Sequence, residues 1–236
     1  MTAQGGTSPV TGVAAPPVVA VEARSLYRFY RAGDEETLAL QGVSLAVDAG
    51  ELVVVVGPSG SGKSTLLSCL AGLDDPDGGT VLVEGRRMSH QPEPVRARIR
   101  ARRIGLLAQS ANLFEHLTVD GNLAFVQTMA ASPGRPSRRD LLGLVGLDER
   151  ARAYPGELSG GEAVRAGMAV ALANDPAVVL ADEPTGELDS GTEAHILELL
   201  VTAARRGAAV VVASHSPAVA AIADRLVRLH DGRVVA

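Results

Sequence analysis

The feature of this chain that most constrains its fold is a glycine-rich loop between an apolar strand and an apolar helix. From residue 51 the sequence reads ELVVVV, then GPSGSGKST, then LLSCLAGL. The glycines and the closing Gly62, Lys63 and Ser64 match the spacing G-x-x-x-x-G-K-[ST] in full. Glycines let the backbone curl round phosphate groups with its N–H groups pointing inward. The segment therefore predicts a phosphate-binding loop at a strand–helix junction.

This loop predicts a nucleoside triphosphate and Mg²⁺ as ligands. The Lys63 ammonium is expected to reach the β and γ phosphates, and the Ser64 hydroxyl is expected to ligate Mg²⁺. The candidate nucleotide-binding residues of the loop are Gly57, Pro58, Ser59, Gly60, Ser61, Gly62, Lys63, Ser64 and Thr65. The preceding strand and the following helix separate this pattern from an ordinary glycine-rich turn.

Two more apolar strands end in side chains that suit phosphate chemistry. The strand VVLA is followed by Asp182 and Glu183, and the strand VVVAS is followed by His215. Asp182 is a candidate Mg²⁺ ligand, and Glu183 is a candidate general base that polarises an attacking water. His215 is predicted to contact the γ-phosphate, because it ends a strand at the edge where α/β sheets bind ligands.

Apolar strands alternate with helical stretches along the chain, which indicates an α/β fold with a largely parallel sheet. Residues from about 110 to 170 read as helices and break that rhythm, so an inserted helical subdomain is expected there. Near the end, RLVRLHDGRVVA predicts a closing hairpin with an Asp-Gly turn. Residues 1–20 are rich in Gly, Pro, Thr and Ala and lack a signal-peptide pattern, so they predict a flexible tail before a domain at 21–236.

Composition narrows the function classes. A net charge of -5, 3% aromatic residues and the absence of Trp argue against a nucleic-acid partner. The single cysteine, Cys69, excludes an internal disulfide, favours a reducing cytoplasm and is expected to be a small buried apolar residue. No apolar run approaches the roughly 20 residues that span a bilayer, so the chain is not expected to cross a membrane.

A second candidate anion site lies in LSGGE, residues 158–162. Ser159, Gly160 and Gly161 precede a helical run, so free backbone N–H groups are expected to face an anion. With the phosphate loop and the acidic strand end, this segment resembles the signature of the nucleotide-binding subunits of ATP-binding cassette (ABC) transporters. The resemblance extends from about residue 21 to the C-terminus, and the motifs follow the family's order and spacing.

The resemblance assigns further site residues. Gln109 in GLLAQS looks like the family's Q-loop glutamine, which implies a role in sensing Mg²⁺ and the attacking water. Asp189 in GELDS resembles the acid of the D-loop. Tyr30 resembles the aromatic residue that stacks on adenine, and Tyr27 and Phe29 are its competitors for that role.

The resemblance also implies an architecture and a catalytic set. The implied fold is a P-loop NTPase with a RecA-like core and a mainly parallel sheet, an antiparallel β subdomain and an inserted α-helical subdomain. The implied ligands are ATP and Mg²⁺. The implied catalytic residues are Glu183, Gln109, Lys63 and His215, which looks like the family's switch histidine. The implied metal ligands are Ser64, Gln109 and Asp182.

In such ATPases two subunits face head to tail, and each completes the ATP site of the other. A homodimer around two ATP molecules is therefore expected, in which the partner's nucleotide meets Ser159, Gly160, Gly161, Glu162 and Asp189. Glu162 departs from the glutamine that is usual at its position. A carboxylate is unfavourable beside a triphosphate, so Glu162 is expected to contact ribose or backbone instead.

Segments such as LAGLDDPDGGTVLVEG and NLFEHLTVDGNL resemble the lipoprotein-release and macrolide-export ATPases. That resemblance implies a separate integral membrane permease, energised from the cytoplasmic face of the membrane. The alternative is a soluble ABC ATPase that acts on DNA or ribosomes. The arginines of VRARIRARR are interpreted as a solvated helix face, with a contact to anionic lipid or to the permease as the alternative. Arg135, Arg138 and Arg139 are interpreted as solvated loop residues.

Overall fold

The computed structural model of the chain describes residues 18–32, 35–109, 112–130, 134–186 and 188–235. Most of the predicted tail thus lies outside the described residues. The boundary between tail and domain at residue 20 stays a prediction, and the first described strand begins at Val19, where it pairs with Asp48. Ala20 belongs to this strand because its side chain is buried in the core.

The elements are numbered here in chain order. The strands are β1 (Val19–Ala32), β2 (Glu35–Asp48), β3 (Leu52–Val56), β4 (Gly78–Val83), β5 (Arg86–Arg87), β6 (Ile104–Leu107), β7 (Val178–Asp182), β8 (Ala209–Ala213), β9 (Arg225–His230) and β10 (Arg233–Val235). The helices are α1 (Lys63–Leu70), α2 (Glu93–Arg103), α3 (Val119–Ala130), α4 (Arg138–Leu144), α5 (Gly160–Leu172), α6 (Ser190–Arg205) and α7 (Pro217–Ala221). Short 3-10 turns lie at Asp148–Arg150 and Pro155–Glu157.

The strands form two sheets. The larger sheet has the order β10-β9-β3-β8-β7-β6, and its strands are parallel to their neighbours except for β10, which is antiparallel to β9. The smaller sheet is antiparallel and has the order β2-β1-β4-β5. The predicted α/β class, with a mainly parallel sheet and an antiparallel β unit, is confirmed.

The apolar strands of the larger sheet are buried on both faces, which explains why they do not alternate with polar residues. Val53 and Val55 face a core shared with α1 and the smaller sheet, and Val54 faces a second core shared with α5 and α6. Cys69 lies in the first core, as predicted. Burial raises the pKa of its thiol to about 12, so this cysteine is an inert packing residue.

The predicted closing hairpin is confirmed and braces the phosphate loop. Asp231 and Gly232 form its turn with φ of 46° and 71°, as a two-residue turn between twisted strands requires. The Gly232 N–H donates to the Ser61 carbonyl at 3.0 Å, and the Gln41 N–H donates to the Gly232 carbonyl at 2.7 Å. The hairpin therefore fixes the loop against the smaller sheet.

The parallel sheet brings the carboxyl ends of β3, β6, β7 and β8 to one edge, where ligands of such sheets bind. Helices α3, α4 and α5 occupy the stretch for which an inserted helical subdomain is expected. Within the described ranges, no helix combines the length and the apolar character that crossing a bilayer requires.

Several arginines of α2, which were predicted to form a solvated helix face, are paired with carboxylates. Arg96 and Arg100 both pair with Glu93, at 2.9 Å and 2.6 Å, and their side chains are largely covered. Arg103 pairs with Glu84 at 3.1 Å. Glu93 and Glu84 thus pair with three of the five arginines of the helix, whose net charge stays positive.

Candidate functional site

The phosphate loop, residues 57–65, takes its shape from close backbone contacts. A Cβ added to Gly57 would lie 2.1 Å from the Leu229 carbonyl oxygen, and one added to Gly62 would lie 2.4 Å from the Ala39 carbonyl oxygen. Gly62 also has a φ of 101°, where side chains are strained. Only glycine therefore fits at these two positions.

The loop ends in a helix N-terminus that is open to an anion. Helix α1 begins at Lys63, has no acidic residue in its first turn and receives no side-chain cap from Gly62. Its first N–H groups and its dipole therefore favour a negatively charged ligand. The Lys63 ammonium lies over the loop, where it donates to the carbonyls of Gly57 at 2.8 Å and Pro58 at 3.1 Å.

The three predicted Mg²⁺ ligands all have a side-chain oxygen, and two of them lie at or just beyond the end of a strand of the larger sheet. Asp182 ends β7, Ser64 lies in the first turn of α1, and Gln109 follows β6 by two residues. The Asp182 Oδ1 atom is buried and has no hydrogen-bond partner in the described part of the chain. A buried oxygen without a partner is costly, so this atom suits a cation. Carboxylate, hydroxyl and amide oxygens are the ligands that Mg²⁺ prefers.

Glu183 has a strained backbone conformation, and its N–H group and both carboxylate oxygens have partners. Its φ of 47° lies in the left-handed region, and its N–H donates to the Ala213 carbonyl at 2.8 Å. Its Oε2 accepts a bond from the Ser214 hydroxyl at 3.1 Å, and its Oε1 lies 3.0 Å from His215 Nδ1. The structure thus brings Glu183 and His215 together, and backbone strain of this kind is concentrated at functional sites.

The two partners of Glu183 differ in exposure. The His215 side chain is 75% exposed, whereas the Glu183 side chain is 19% exposed. The carboxylate is therefore shielded while the imidazole faces solvent from the same sheet edge. Ser214, which is buried, also has a second role, since its Oγ accepts a bond from the Ser216 N–H at 3.1 Å. Sequence reasoning missed Ser214, because a serine beside a histidine has no distinctive spacing.

Tyr30 is set in a polar cluster beside α1. Its hydroxyl donates to Asp74 Oδ2 at 2.7 Å, and the Arg28 guanidinium lies 4.8 Å from the ring centroid. The pKa of Tyr30 is raised, first by burial and then by the bond to Asp74, while a bond with the Thr65 hydroxyl acts in the opposite direction. That last contact places Tyr30 next to the phosphate loop.

Tyr27 and Phe29 stay candidates beside Tyr30, since the three residues are similarly exposed, at 43%, 36% and 41%. Tyr27 packs on the smaller sheet, because a Cβ at Gly42 would lie 3.0 Å from its hydroxyl and one at Gly78 would lie 3.5 Å from its ring. Phe29 donates its backbone N–H to Asp77 Oδ2 at 2.8 Å. Arg28 bridges Asp74 and Asp77, at 2.8 Å and 2.9 Å, so it fixes the strand that carries Tyr30.

The signature turn, residues 158–162, is shaped by side chains. The Ser159 hydroxyl accepts a bond from the Glu162 N–H at 3.2 Å, and the Glu162 carboxylate accepts one from the Ser159 N–H at 2.8 Å. This reciprocal pair is a capping box at the start of α5. In the described structure Glu162 thus bonds to the backbone of its own turn.

Arg150 completes this turn and was missed by sequence reasoning. Its guanidinium bonds both oxygens of Glu162, at 2.9 Å and 3.2 Å. The bonds from Arg150 and from the Ser159 N–H lower the pKa of Glu162 to about 2. The two residues are 12 apart in the chain, a separation that no helical or strand periodicity connects.

Asp189 caps the neighbouring helix α6. Its Oδ1 accepts bonds from the N–H groups of Gly191 and Thr192, both at 3.0 Å, and its Oδ2 accepts one from the Thr192 hydroxyl at 2.7 Å. These bonds, led by the Thr192 hydroxyl, lower the pKa of Asp189. A Cβ at Gly161 would lie 3.0 Å from Thr192, so this cap lies against the signature turn.

The structure thus forms two separate groups from the predicted residues. The phosphate loop, Asp182, Glu183 and His215 lie at the edge of the larger sheet. The signature turn lies with Asp189 at the start of two helices. No hydrogen bond among the described residues connects the signature turn with the phosphate loop.

Comparison with known proteins agrees with this arrangement. Residues 40–186 match the ABC transporter family. The lipoprotein-releasing system ATP-binding protein LolD of Gluconobacter oxydans is 43% identical over 220 residues, which cover 92% of this chain and 95% of that protein. The macrolide export ATP-binding/permease protein MacB of Hyphomonas neptunium is 39% identical over 223 residues, and the match spans 93% of this chain but 34% of MacB.

Solved structures of ABC transporter cassettes have the same fold as this chain. The dimeric bacterial ABC transporter cassette MJ0796 superposes with a TM-score of 0.85 at 34% identity, over 92% of this chain and 97% of that one. A second structure of that cassette is a dimeric post-hydrolysis state bound to ADP and Pi. None of these relatives is described as acting on DNA or ribosomes, so that alternative has no support. This chain belongs to the ABC transporter family, as an ATP-binding subunit that hydrolyses ATP.

Proposed function

We propose that two copies of this chain close head to tail around two ATP molecules, and that this closure drives a separate permease at the cytoplasmic face of the membrane. The observation that carries the proposal is the position of Glu183. Its carboxylate is shielded, oriented by Ser214 and His215, and placed at the sheet edge beside the phosphate loop. That is the arrangement a general base needs for an attacking water.

Within each copy, the chain's own residues bind and orient the nucleotide. The phosphate loop and the N-terminus of α1 bind the phosphates, with Lys63 turning from the loop carbonyls to the β and γ phosphates. Tyr30 stacks on the adenine. Ser64, Gln109 and Asp182 hold Mg²⁺, which when bound supplies positive charge against the charge that develops on the phosphates. Glu183 accepts the proton of the water, and His215 contacts the γ-phosphate.

The second copy supplies the signature turn. Gly160 and Gly161 present backbone N–H groups at the start of α5, and a Cβ at Gly160 would meet nothing within 4 Å. This open helix N-terminus is an anion site that its own phosphate loop does not use. The dimeric state of the cassette MJ0796 supports its use by a partner. Loss of the γ-phosphate removes the contact that bridges the two copies, so hydrolysis opens the dimer.

The permease contact is assigned to an exposed apolar patch formed by Phe114, Phe125 and Met129. These side chains are 43%, 43% and 64% exposed, and the two phenylalanine rings meet edge to face with centroids 4.9 Å apart. Phe114 lies shortly after Gln109 in the chain, so the segment between them is proposed to couple a partner bound at the patch to the nucleotide site. An amphipathic cytoplasmic segment of the permease fits it, with the apolar side facing the rings.

The central test is Glu183→Gln. We expect hydrolysis to slow about 100-fold or more, because the amide cannot accept a proton, while ATP then stabilises a dimer. Steady-state ATPase assays and sedimentation velocity with ATP measure the two effects. Glu198→Gln, the same change at an exposed position of α6, is the matched control. A Glu183→Gln protein that stays monomeric at concentrations where the wild type dimerises with ATP would contradict the proposal.

The permease contact is tested separately. Met129→Asp is expected to leave ATPase activity of the isolated chain unchanged. It is expected to abolish co-purification with a multi-helix permease from the same genome, when the two are co-expressed. Co-purification that survives both Met129→Asp and Phe125→Asp would place the permease contact elsewhere.

A further inference from the structure

The signature turn carries a carboxylate at a place where the proposed function needs an anion to bind. Glu162 occupies the third position of α5, and its side chain folds back on the N–H of Ser159. The N-terminus of a helix attracts anions, so a fixed negative charge there competes with the triphosphate of the partner. A positive charge must therefore neutralise Glu162 if the signature turn is to bind the partner's ATP.

The Arg150 guanidinium lies close enough to the Glu162 carboxylate to neutralise its charge. It contacts both oxygens of Glu162 through Nε and a terminal nitrogen, and it donates a further bond to the Glu157 carbonyl at 2.9 Å. The guanidinium therefore neutralises the carboxylate and also ties it to the segment that leads into the turn. Planar, two-point contacts of this kind fix geometry as well as charge.

The resulting geometry leaves the right groups of the turn available. The Ser159 Oγ uses its lone pair to accept the Glu162 N–H, so its own hydroxyl proton remains free to donate. The Gly160 and Gly161 N–H groups have no described hydrogen-bond partner, because the first bond of the helix runs from the Ala163 N–H to the Ser159 carbonyl. One hydroxyl and two amides are thus presented together.

We propose that Arg150 is a positioning residue for the ATP site of the opposite subunit, acting through Glu162 to hold the signature turn open and electrically neutral towards the γ-phosphate. The inference rests on the proposed homodimer. It assigns Glu162 to the support of the turn rather than to direct contact with the nucleotide. It also predicts that the two side chains act as a unit, since neither charge is favourable alone.

The test compares Arg150→Met, Glu162→Gln and the double variant with the wild type, in the full-length chain. Arg152→Met is the matched control, because Arg152 is an exposed arginine two residues away with no described partner. Three quantities are measured for each protein: the KM of ATP hydrolysis, its kcat, and the affinity of the single subunit for fluorescent ADP at concentrations too low for dimers.

Arg150→Met is expected to raise the KM for ATP at least tenfold, while ADP affinity of the single subunit stays within twofold of the wild type. Glu162→Gln added to Arg150→Met is expected to recover most of the lost activity, because glutamine keeps the capping box without a charge. A purely structural role for Arg150 predicts no such recovery. Arg150→Lys, which keeps the charge, should fall between the two and replaces Arg150→Met if the methionine protein is unfolded.

Two results would overturn the inference while the proposed function stands. One is a KM for Arg150→Met equal to that of Arg152→Met. The other is a double variant no more active than Arg150→Met, with both proteins folded by circular dichroism. Failure of the wild type itself to dimerise with ATP would instead remove the proposed function, and the inference with it.

Discussion

The phosphate loop and the signature turn both place glycines before a helix, but they obtain their shapes in opposite ways. In the phosphate loop the constraint is steric, since a Cβ at Gly57 would lie 2.1 Å from the Leu229 carbonyl oxygen. In the signature turn a Cβ at Gly160 would meet nothing within 4 Å. There the shape comes from partly exposed side chains, through the bonds of Glu162 with Arg150 and with the backbone.

One chain can therefore carry two anion sites, one that binds nucleotide by itself and one that is open to a second subunit. The phosphate loop is fixed by buried strands of its own subunit, so it is ready for nucleotide without a partner. The signature turn is fixed by polar contacts near the surface, where a second subunit can approach. Steric constraints do not depend on pH or salt, whereas a partly exposed ion pair depends on both. Substitutions and changes of pH are therefore expected to affect the phosphate loop and the signature turn differently.

The largest effect is expected from Gly57→Ala. The added Cβ must displace the backbone of β9 or of the loop, which should cost about 3 kcal/mol of unfolding free energy and most of the nucleotide affinity. Denaturant unfolding and fluorescent-nucleotide binding measure these losses. Gly156→Ala is the control, because a Cβ there meets nothing within 4 Å. Equal stability of the two variants would show that sterics do not shape the phosphate loop.

A smaller effect is expected from Asp189→Ala, on the side of the signature turn. The variant loses the cap of α6, including the bonds to the N–H groups of Gly191 and Thr192. The expected loss is about 1 kcal/mol of unfolding free energy, measured by denaturant unfolding. Asp189→Asn should retain most of the stability, because asparagine is an equally good cap. Loss of equal size in both variants would mean that the charge of Asp189, not its capping bonds, stabilises the helix.

Gly160→Ala separates folding from assembly. Its unfolding free energy should stay within about 0.5 kcal/mol of the wild type, because the site has room for a Cβ. ADP binding to the single subunit should also be unchanged. ATP-dependent dimerisation, followed by sedimentation velocity, should weaken, since the methyl group stands between the N–H groups and the partner's phosphate. Unimpaired dimerisation would remove the signature turn from the proposed interface.

The smallest effect is a pH dependence that the signature turn should show and the phosphate loop should not. The folded-state pKa of Glu162, about 2, lies below its ordinary value of 4.5. Its pair with Arg150 therefore contributes stability above about pH 4.5, and the contribution is lost as the pH falls towards 2. The difference in Tm between the wild type and Glu162→Gln should narrow steadily from pH 6 to pH 3. A difference that stays constant over this range would contradict the assigned pair.

The sequence predicted the parts of the site that short spacings encode. The phosphate loop, the acids after β7 and the Asp-Gly hairpin follow from local patterns that the backbone must satisfy. The first strand includes Val19 and Ala20, which follow a Pro-rich stretch and resemble it in composition, so no local pattern marks where the strand begins. The bonds of Ser214 to Glu183 could not be predicted, since they depend on how two neighbouring strands are aligned.

Local spacing in the sequence was enough to predict a phosphate-binding loop at a strand–helix junction of an α/β fold, because few other loops combine those glycines with a lysine. The ATPase function followed from the resemblance of LSGGE and the other motifs to the ABC family. How each site is held became visible only in the folded structure. It brought Arg150 to Glu162 and Tyr30 to Asp74, and it left the signature turn apart from the phosphate loop. These contacts join residues far apart in the chain, so they depend on the packing of whole elements, which local sequence patterns do not record.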